Sequence, residues 1–271
     1  MYYIYINYNM FLCINFILFV FLFVFLFVLL FYKKMIQKNV FINIINNMKN
    51  MNSNIIISIE GNIGSGKSTL LSCIQNMYQG YDDKQIIFLK EPVDEWENIT
   101  DETGSTILKL FYETPEKYAF SFQMMAYISR LNNLKQAIEK NKNAIIITER
   151  SLFTDRYVFA KMLYDDKKIR HVDYSIYMKW FDAFIEDFPI DKVIYVNSSP
   201  TICCQRIKKR SRNGESIISL EYLQNCHKYH NDMMTYYTSV MDIDNIYIFN
   251  GDIEENEREE HIQNMLNFIK N

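Results

Sequence analysis

From residue 54 to the end of the chain, short apolar runs alternate with longer stretches whose apolar residues recur at helical spacing. Pro115–Lys140 and Leu220–Val240 are two of these helical stretches. The short runs have strand length and are rich in β-branched and aromatic residues; they read NIIISIE, QIIFLK, NAIIIT, DKVIYV and NIYIFN. This alternation predicts one α/β domain over residues 54–271, with a parallel sheet of about five strands and helices on both faces.

Residues 11–32 form an uncharged apolar run ahead of this domain, so residues 1–53 are predicted to be a separate hydrophobic segment and linker. The run reaches the ~20 residues that a membrane-spanning helix needs. Lys33, Lys34 and Lys38 follow it, and by the positive-inside rule they would keep the downstream domain in the cytoplasm. The sequence therefore predicts an N-terminal hydrophobic helix, and a membrane anchor is one interpretation of it.

A second interpretation places the run upstream of the true translation start. Its composition is low-complexity, and methionines occur before the domain at Met35, Met48 and Met51. The sequence leaves the two interpretations open. No basic residue precedes the run and no small-residue cleavage site follows it, which argues against secretion. The first arginine of the chain is Arg130, which argues against mitochondrial import.

The composition is that of a globular protein, since 49% of the 271 residues are hydrophobic and 23% are charged. The net charge of −3 provides no general basic field, so a nucleic-acid polymer is not an expected partner. Five cysteines lack the paired spacing of zinc sites or disulfides and suit a reducing compartment. His227 and His230 lie three apart on a predicted helix without further ligands and are expected at the surface rather than in a metal site.

The turn after the first predicted strand carries the pattern G-x-x-x-x-G-K-[ST], met by Gly61, Gly66, Lys67 and Ser68. Glycines allow consecutive backbone N–H groups to surround an anionic oxygen, and the following helix adds its positive N-terminal end. Lys67 would reach the β- and γ-phosphates of a nucleotide, and Ser68 would ligate Mg²⁺. The predicted nucleotide-binding residues of this P-loop are Gly61, Asn62, Ile63, Gly64, Ser65, Gly66, Lys67, Ser68 and Thr69.

Charged side chains follow the second and third predicted strands, where ligands bind in parallel sheets. Glu91 follows one strand, and Glu149 and Arg150 follow the next. Carboxylates that converge beside nucleotide phosphates repel them unless a metal ion or a proton transfer uses them. These three residues are therefore functional candidates.

Five motifs in order make the chain from residue 55 to 270 resemble the deoxyribonucleoside kinases, in particular the branch of the deoxycytidine and deoxyguanosine kinases. The motifs read IEGNIGSGKSTL, EPVDEW, FSFQMMAYISR, ERSLFTDRYVFA and RIKKRSRNGESIISLEYL. The resemblance implies the P-loop kinase fold, a homodimer and Mg²⁺. It also implies transfer of a phosphoryl group from ATP to the 5′-hydroxyl of a deoxyribonucleoside, giving monophosphates for salvage.

The resemblance also implies roles for the charged residues. Glu91 would accept the proton of the 5′-hydroxyl, and Arg150 would hold that oxygen and the arriving phosphoryl group beside Lys67. Ser68 and Glu149 would organise Mg²⁺. Three arginines of the last motif would form a lid over the transferring phosphate; they are Arg206, Arg210 and Arg212.

The nucleoside pocket follows from the same resemblance. Gln123 would bind the base edge between the apolar walls of Trp96, Phe122 and Phe159. Tyr112 and Glu215 would bind the sugar 3′-hydroxyl. Arg130 and Asp155 would recognise an exocyclic amino group, so the expected substrates are deoxycytidine or the deoxypurines rather than thymidine.

Two other functions share the fold and the P-loop. A thymidylate kinase would bind a substrate that already carries a phosphate, which the carboxylate of Glu91 would repel. A kinase-like accessory subunit would be non-catalytic, but Lys67, Ser68, Glu91, Glu149 and Arg150 are all intact. Both remain alternatives at this level.

Overall fold

The computed structural model describes residues 54–78, 84–210, 215–253 and 258–270. The predicted hydrophobic segment at 11–32, the linker that follows it and the lid residue Arg212 lie outside the described residues. Within the described ranges, no helix combines the length and apolar character needed to cross a membrane. Asn54–Asn271 cluster as one compact unit.

A five-stranded, wholly parallel sheet forms the centre of this unit and confirms the predicted α/β class. The strands lie in the spatial order β2-β3-β1-β4-β5. Each predicted apolar run supplies one of them: β1 is Ile55–Glu60, β2 Ile86–Leu89, β3 Ile145–Glu149, β4 Lys192–Asn197 and β5 Ile246–Asn250. Because β3, β1 and β4 are adjacent and parallel, their carboxyl ends lie together at one edge of the sheet.

The connections between the strands are mostly helical, as the alternating pattern predicted. The helices are α1 (Lys67–Met77), α2 (Val93–Glu97), α3 (Ile107–Glu113), α4 (Pro115–Lys140), α5 (Leu152–Thr154), α6 (Lys161–Asp165), α7 (His171–Phe184), α8 (Pro200–Arg210), α9 (Leu220–Val240) and α10 (Arg258–Lys270). A π-helical turn, Asp155–Ala160, joins α5 to α6, and 3₁₀ turns cover Ile185–Asp187, Glu215–Ile217 and Ile243–Asn245. The two long helices have the predicted bounds.

The central strands are apolar without alternation because the sheet is covered on both faces. Ile57 and Ile59 pack on the face that meets α1 and α10. Ile56, between them, packs with residues of α4 and α7 such as Tyr127 and Tyr177 on the other face. This double burial fixes the positions of the strand ends that carry the candidate site.

Helix α9 contains the one sequence expectation outside the site that the structure overturns. His230 is fully buried rather than exposed, and its Nδ1 lies 2.8 Å from the carbonyl oxygen of Cys226. Burial lowers the pKa of His230 to about 3, so the ring is neutral at physiological pH. Its ring lies beside those of Phe159 and Tyr195, and three-dimensional packing of this kind is invisible in a three-residue spacing.

Candidate active site

The P-loop has the backbone conformation that its glycines predict. Gly61 and Gly64 have φ values of +145° and +76°. A Cβ atom at Gly61 would lie 2.6 Å from the carbonyl oxygen of Val196, and one at Gly64 would lie 2.6 Å from that of Cys203. Two separate reasons therefore require glycine at both positions: the backbone has a positive φ, and a neighbouring carbonyl oxygen leaves no room for a Cβ atom. Helix α1 begins at Lys67, directly after this turn.

Lys67 is buried at the base of the P-loop, and its Nζ donates a 2.6 Å hydrogen bond to the carbonyl oxygen of Asn62. Burial is the main cause of a lowered pKa of about 7, and the nearby charge of Arg150 acts in the same direction. Glu149 and Glu91 oppose the shift. An anionic phosphate beside Lys67 would restore its charged form.

Arg206 braces the P-loop in this structure. Its two terminal nitrogens donate to main-chain carbonyl oxygens, Nη1 to Ser65 at 3.0 Å and Nη2 to Gly251 at 2.7 Å. Asn62 adds a second brace, since its Nδ2 donates to the carbonyl oxygen of Leu223 in α9 at 2.8 Å. The lid role of Arg206 remains a prediction, and these contacts give the side chain a structural role that the sequence did not indicate.

Arg210 and Glu215 form an ion pair between the end of α8 and the following 3₁₀ turn. Arg210 Nη2 lies 2.7 and 2.6 Å from the two carboxylate oxygens of Glu215, and Nε lies 3.1 Å from Oε2. The pair joins a predicted phosphate-binding residue to a predicted sugar-binding residue.

Glu91 and two arginines form a buried charge network at the carboxyl ends of β2 and β3. Arg150 Nη1 donates to both carboxylate oxygens of Glu91 at 2.7 and 2.6 Å, and Arg130 Nη2 donates to Oε1 at 3.0 Å. Burial raises the pKa of Glu91, but Arg150, Arg130 and Lys67 outweigh it and lower the pKa to about 2. Glu91 is therefore ionised at any physiological pH.

Arg130 also connects this network to Asp155, the first residue of the π-helical turn. Its Nε donates to Asp155 Oδ2 at 2.9 Å, and its Nη1 donates to the carbonyl oxygen of Glu149 at 2.7 Å. Burial raises the pKa of Asp155 to about 6, and Arg130 opposes the shift. Such π-helical turns occur often at functional sites.

The backbone of Arg150 adopts φ of +64°, a left-handed conformation uncommon for a residue with a side chain. Such a conformation costs about 1–3 kcal/mol and persists only where surrounding contacts enforce it. Here the Arg150 N–H donates to the carbonyl oxygen of Ile59 at 3.0 Å. The reversal directs the guanidinium toward Glu91, and Arg150 Nε is buried without a hydrogen-bond partner among the described residues.

A cavity of about 580 Å³ joins the P-loop to this network and to an aromatic pocket. Trp96 and Phe122 meet edge to face with ring centroids 5.4 Å apart, and Phe159 lies under the guanidinium of Arg150 at 5.2 Å. Gln123 is buried, and its Oε1 has no hydrogen-bond partner in the described part of the chain. The predicted site residues that line the cavity are Ile63, Gly64, Gly66, Lys67, Ser68, Thr69, Glu91, Trp96, Tyr112, Phe122, Gln123, Arg130, Glu149, Arg150, Asp155, Phe159, Arg206, Arg210 and Glu215.

Comparison with known proteins agrees with this geometry. The family profile for deoxynucleoside kinases matches residues 57–271. The chain belongs to the deoxynucleoside kinase family. The mitochondrial deoxyguanosine kinase of Xenopus laevis is 30% identical over 70% of this chain and 77% of its own length.

Two further relatives are named as deoxycytidine kinases. The human deoxycytidine kinase is 31% identical over 67% of this chain and 76% of its own length. A probable deoxycytidine kinase of fowlpox virus is 37% identical over 64% of this chain and 69% of its own length. The predicted family is thus confirmed, and so is an enzyme that phosphorylates deoxyribonucleosides with ATP; neither alternative function is favoured.

Ser68 and Glu149 of this kinase suit a magnesium ion. Ser68 is exposed, and its Oγ donates to Glu149 Oε1 at 2.6 Å. No group of three or more His, Cys, Asp or Glu side chains among the described residues could hold a metal ion alone. Mg²⁺ commonly takes one or two protein oxygens and completes its shell with water and substrate phosphates, so the pair fits that ion.

Several apolar and aromatic residues line the pocket but were not among the residues predicted from the sequence. Phe111 stacks on Phe122 with ring centroids 4.7 Å apart, and Tyr222 meets Tyr112 edge to face at 6.2 Å. Both line the cavity, as do Val93, Leu108 and Ala126. Phe111 directly precedes Tyr112 on α3, and this adjacency is the signal that could have found it. Tyr222 lies within the last of the five motifs, and that position is the signal that could have found it.

Proposed function

We propose that this kinase binds ATP at residues 61–69 and a deoxyribonucleoside in the aromatic pocket, and prefers deoxycytidine or a deoxypurine over thymidine. The observation that carries the proposal is that one cavity connects Lys67 and Ser68 to Glu91 and then to Gln123. The phosphate-binding end and the base-binding end are separated by the charge network, where a 5′-hydroxyl would meet a γ-phosphate.

Glu91 acts mainly by position. With a pKa of about 2 it is a weak base, so it accepts a hydrogen bond from the 5′-hydroxyl and takes the proton late in the reaction. This suits phosphoryl transfer, whose loose transition state depends more on alignment and charge neutralisation than on base strength. Arg150 supplies positive charge at the attacking oxygen, and its Nε, which has no hydrogen-bond partner among the described residues, is a further donor for substrate oxygens.

Lys67 contributes charge at the donor phosphates. The buried amine is held beside the P-loop by Asn62 and gains stability in its charged form when phosphates approach. Mg²⁺ held by Ser68 and Glu149 would neutralise negative charge on the β- and γ-phosphates. Lys67 and Glu91 would then align the donor phosphorus with the acceptor oxygen of the nucleoside.

Substrate preference rests on Arg130, Asp155 and Gln123. Asp155 accepts from Arg130 and has acceptor capacity left for an exocyclic amino group, which cytosine and adenine carry and thymine lacks. Gln123 Oε1 is a second buried acceptor without a partner among the described residues. A base without an exocyclic amino group forfeits the hydrogen bond to Asp155, at about 1–3 kcal/mol.

A homodimer is part of the proposal. Helix α7 carries Val172, Ile176 and Trp180 four residues apart, with 67%, 41% and 47% of their surfaces exposed. Ile128 of α4 is 49% exposed as well. A stripe of this kind on a helix favours pairing with a second copy of the chain.

The proposal also covers residues 1–53, which precede the kinase domain. Residues 1–53 would be a separate segment joined to the kinase domain at 54, with 11–32 either a membrane anchor or upstream of the start. Full-length protein that resists alkaline carbonate extraction, while a chain beginning at Met51 stays active in the supernatant, would support the anchor. A mature native protein beginning at Met35 or later would exclude it.

The direct test is phosphorylation from radiolabelled ATP, with the four deoxynucleosides and deoxythymidine monophosphate as acceptors. We expect transfer to deoxycytidine or a deoxypurine above thymidine and no transfer to the monophosphate. Ser58→Ala is a suitable control variant because Ser58 is buried outside the cavity. Transfer to the monophosphate alone would overturn the proposal.

A further inference from the structure

A carboxylate that neither the P-loop pattern nor the nucleoside pocket accounts for lies beneath the active site. Glu60 is the last residue of β1 and directly precedes Gly61, the first glycine of the P-loop. It is 0% exposed, and none of the described lysine, arginine or histidine side chains forms an ion pair with it. Burying a carboxylate is costly, so without an ion pair its hydrogen bonds must offset the loss of hydration.

Both oxygens of Glu60 bind hydroxyl groups on the segment that follows β3. Ser151 Oγ donates to Oε1 at 2.6 Å, and Thr154 Oγ1 donates to Oε2. Ser151 and Thr154 are separated from Glu60 by more than ninety positions in the chain, but strands β1 and β3 are neighbours in the sheet. These bonds therefore tie the start of the P-loop to the segment that carries Arg150.

The same two hydroxyls cap helix α5. Ser151 Oγ accepts from the Thr154 N–H, and Thr154 Oγ1 accepts from the Ser151 N–H, each at 3.4 Å. A hydroxyl has one proton to donate. Because Glu60 receives both protons, the oxygen lone pairs of both hydroxyls remain available to accept from the backbone N–H groups of the reciprocal cap.

This cap begins one residue after Arg150, whose backbone is left-handed. The chain there is constrained on one side by β3 and on the other by the capped helix, so the orientation of the Arg150 guanidinium depends on the cap. Asp155, which directly follows Thr154, depends on it as well. The P-loop has further braces from Arg206 and Asn62, so we expect it to depend on the cap less than Arg150 does.

We infer that Glu60 is a positioning residue for phosphoryl transfer, which holds Arg150 in the orientation that meets Glu91 by completing the Ser151 and Thr154 cap. The inference rests on the proposed function. Glu60 touches neither reacting group, and its effect reaches the reaction through Arg150.

The test is a double-mutant cycle of Glu60→Gln and Arg150→Lys, with kcat and KM measured for ATP and for the best nucleoside. Glu60→Gln keeps the shape and one acceptor oxygen, so we expect kcat to fall about 10- to 100-fold, as for a displaced catalytic group. The KM for ATP should change less than about threefold. In the Arg150→Lys background, Glu60→Gln should cost less than about threefold, because residues that act as a unit are not additive.

Thr154→Val is a second test variant, and Ser58→Ala is the control. Thr154→Val removes one of the two hydroxyls with little change of shape and should lower kcat in the same non-additive way, which keeps the test valid if Glu60→Gln does not fold. Ser58→Ala removes a buried hydroxyl two residues earlier on β1, one without a hydrogen-bond partner among the described residues, and should leave kcat unchanged.

Folded Glu60→Gln or Thr154→Val with wild-type kcat, or full additivity with Arg150→Lys, would overturn the inference. A wild type that phosphorylates no nucleoside would instead count against the proposed function. Calorimetric titration with ATP distinguishes failure of the inference from failure of the proposed function, because it measures binding at the P-loop without requiring turnover.

Discussion

Arg130 and Asp155 form a buried ion pair at the base end of the cavity, with Nε of the arginine 2.9 Å from Oδ2 of the aspartate. Their side chains are 4% and 2% exposed. Arg130 Nη2 also donates to Glu91 Oε1, so the pair that we propose to recognise the base is bonded to the carboxylate that we propose to meet the 5′-hydroxyl.

Because the two residues are paired, the double variant Asp155→Ala with Arg130→Met is the one that tests their role in base preference. We expect preference to move toward thymidine, because both charges leave together and room is made for the 5-methyl group. The gain relative to deoxycytidine should be about 5- to 150-fold in kcat/KM, the equivalent of one unpaired polar group at ~1–3 kcal/mol. Steady-state kinetics with all four nucleosides measure it.

The single variants serve as controls for that change. Asp155→Ala alone leaves Arg130 without its main partner, and Arg130→Met alone leaves Asp155 buried and unpaired, so each should lose more total activity than the double variant. A wild type that favours thymidine would contradict the assignment.

Glu91→Ala should lower kcat by about 10²- to 10⁴-fold while ATP affinity stays near wild type. The P-loop is untouched, but Arg150 and Arg130 lose the carboxylate that binds both. Glu91→Gln, which keeps one acceptor oxygen, should retain more activity. Near-wild-type turnover of Glu91→Ala would remove Glu91 from the mechanism; calorimetric titration with ATP supplies the binding half of the experiment.

ATP affinity should depend on the protonation of Lys67. The free enzyme has a lowered Lys67 pKa of about 7, and bound phosphates would raise that pKa, so binding takes up a proton above pH 7. Affinity should then fall as pH rises through 7, by at most tenfold per unit for one proton. Calorimetry in two buffers with different ionisation enthalpies measures the proton uptake.

Lys67→Arg is the matched variant for the pH experiment, since arginine keeps the charge and does not titrate in this range. Its affinity for ATP should show no slope from this position. An equal slope in wild type and variant would assign the titration to another group.

The exposed stripe of α7 gives a test of the homodimer. Ile176→Glu should convert a dimer to a monomer in sedimentation, because it places a charge in the centre of the stripe. Ile248→Glu is the control, because Ile248 is 62% exposed on the edge strand β5 and does not belong to the α7 stripe. Loss of the dimer in both variants, or in neither, would argue against this surface.

The sequence alone determined the features that depend on local chemistry. The P-loop from Gly61 to Ser68 was readable because its glycines, lysine and serine act within one turn of chain, and the five strands were readable because burial on both faces leaves continuous apolar runs. The placement of Glu91, Glu149 and Arg150 at one edge followed from a general property of parallel sheets.

Tertiary structure alone decided which distant residues meet. Glu60 reads as a strand-end charge until the neighbouring positions of β1 and β3 bring it to Ser151, and Phe111 reads as core until α3 brings it to the cavity. Arg206 is bonded to the P-loop backbone while its lid role stays a prediction, and His230 is buried where its spacing predicts a surface position. Such contacts are set by strand order and helix packing, which no local spacing encodes.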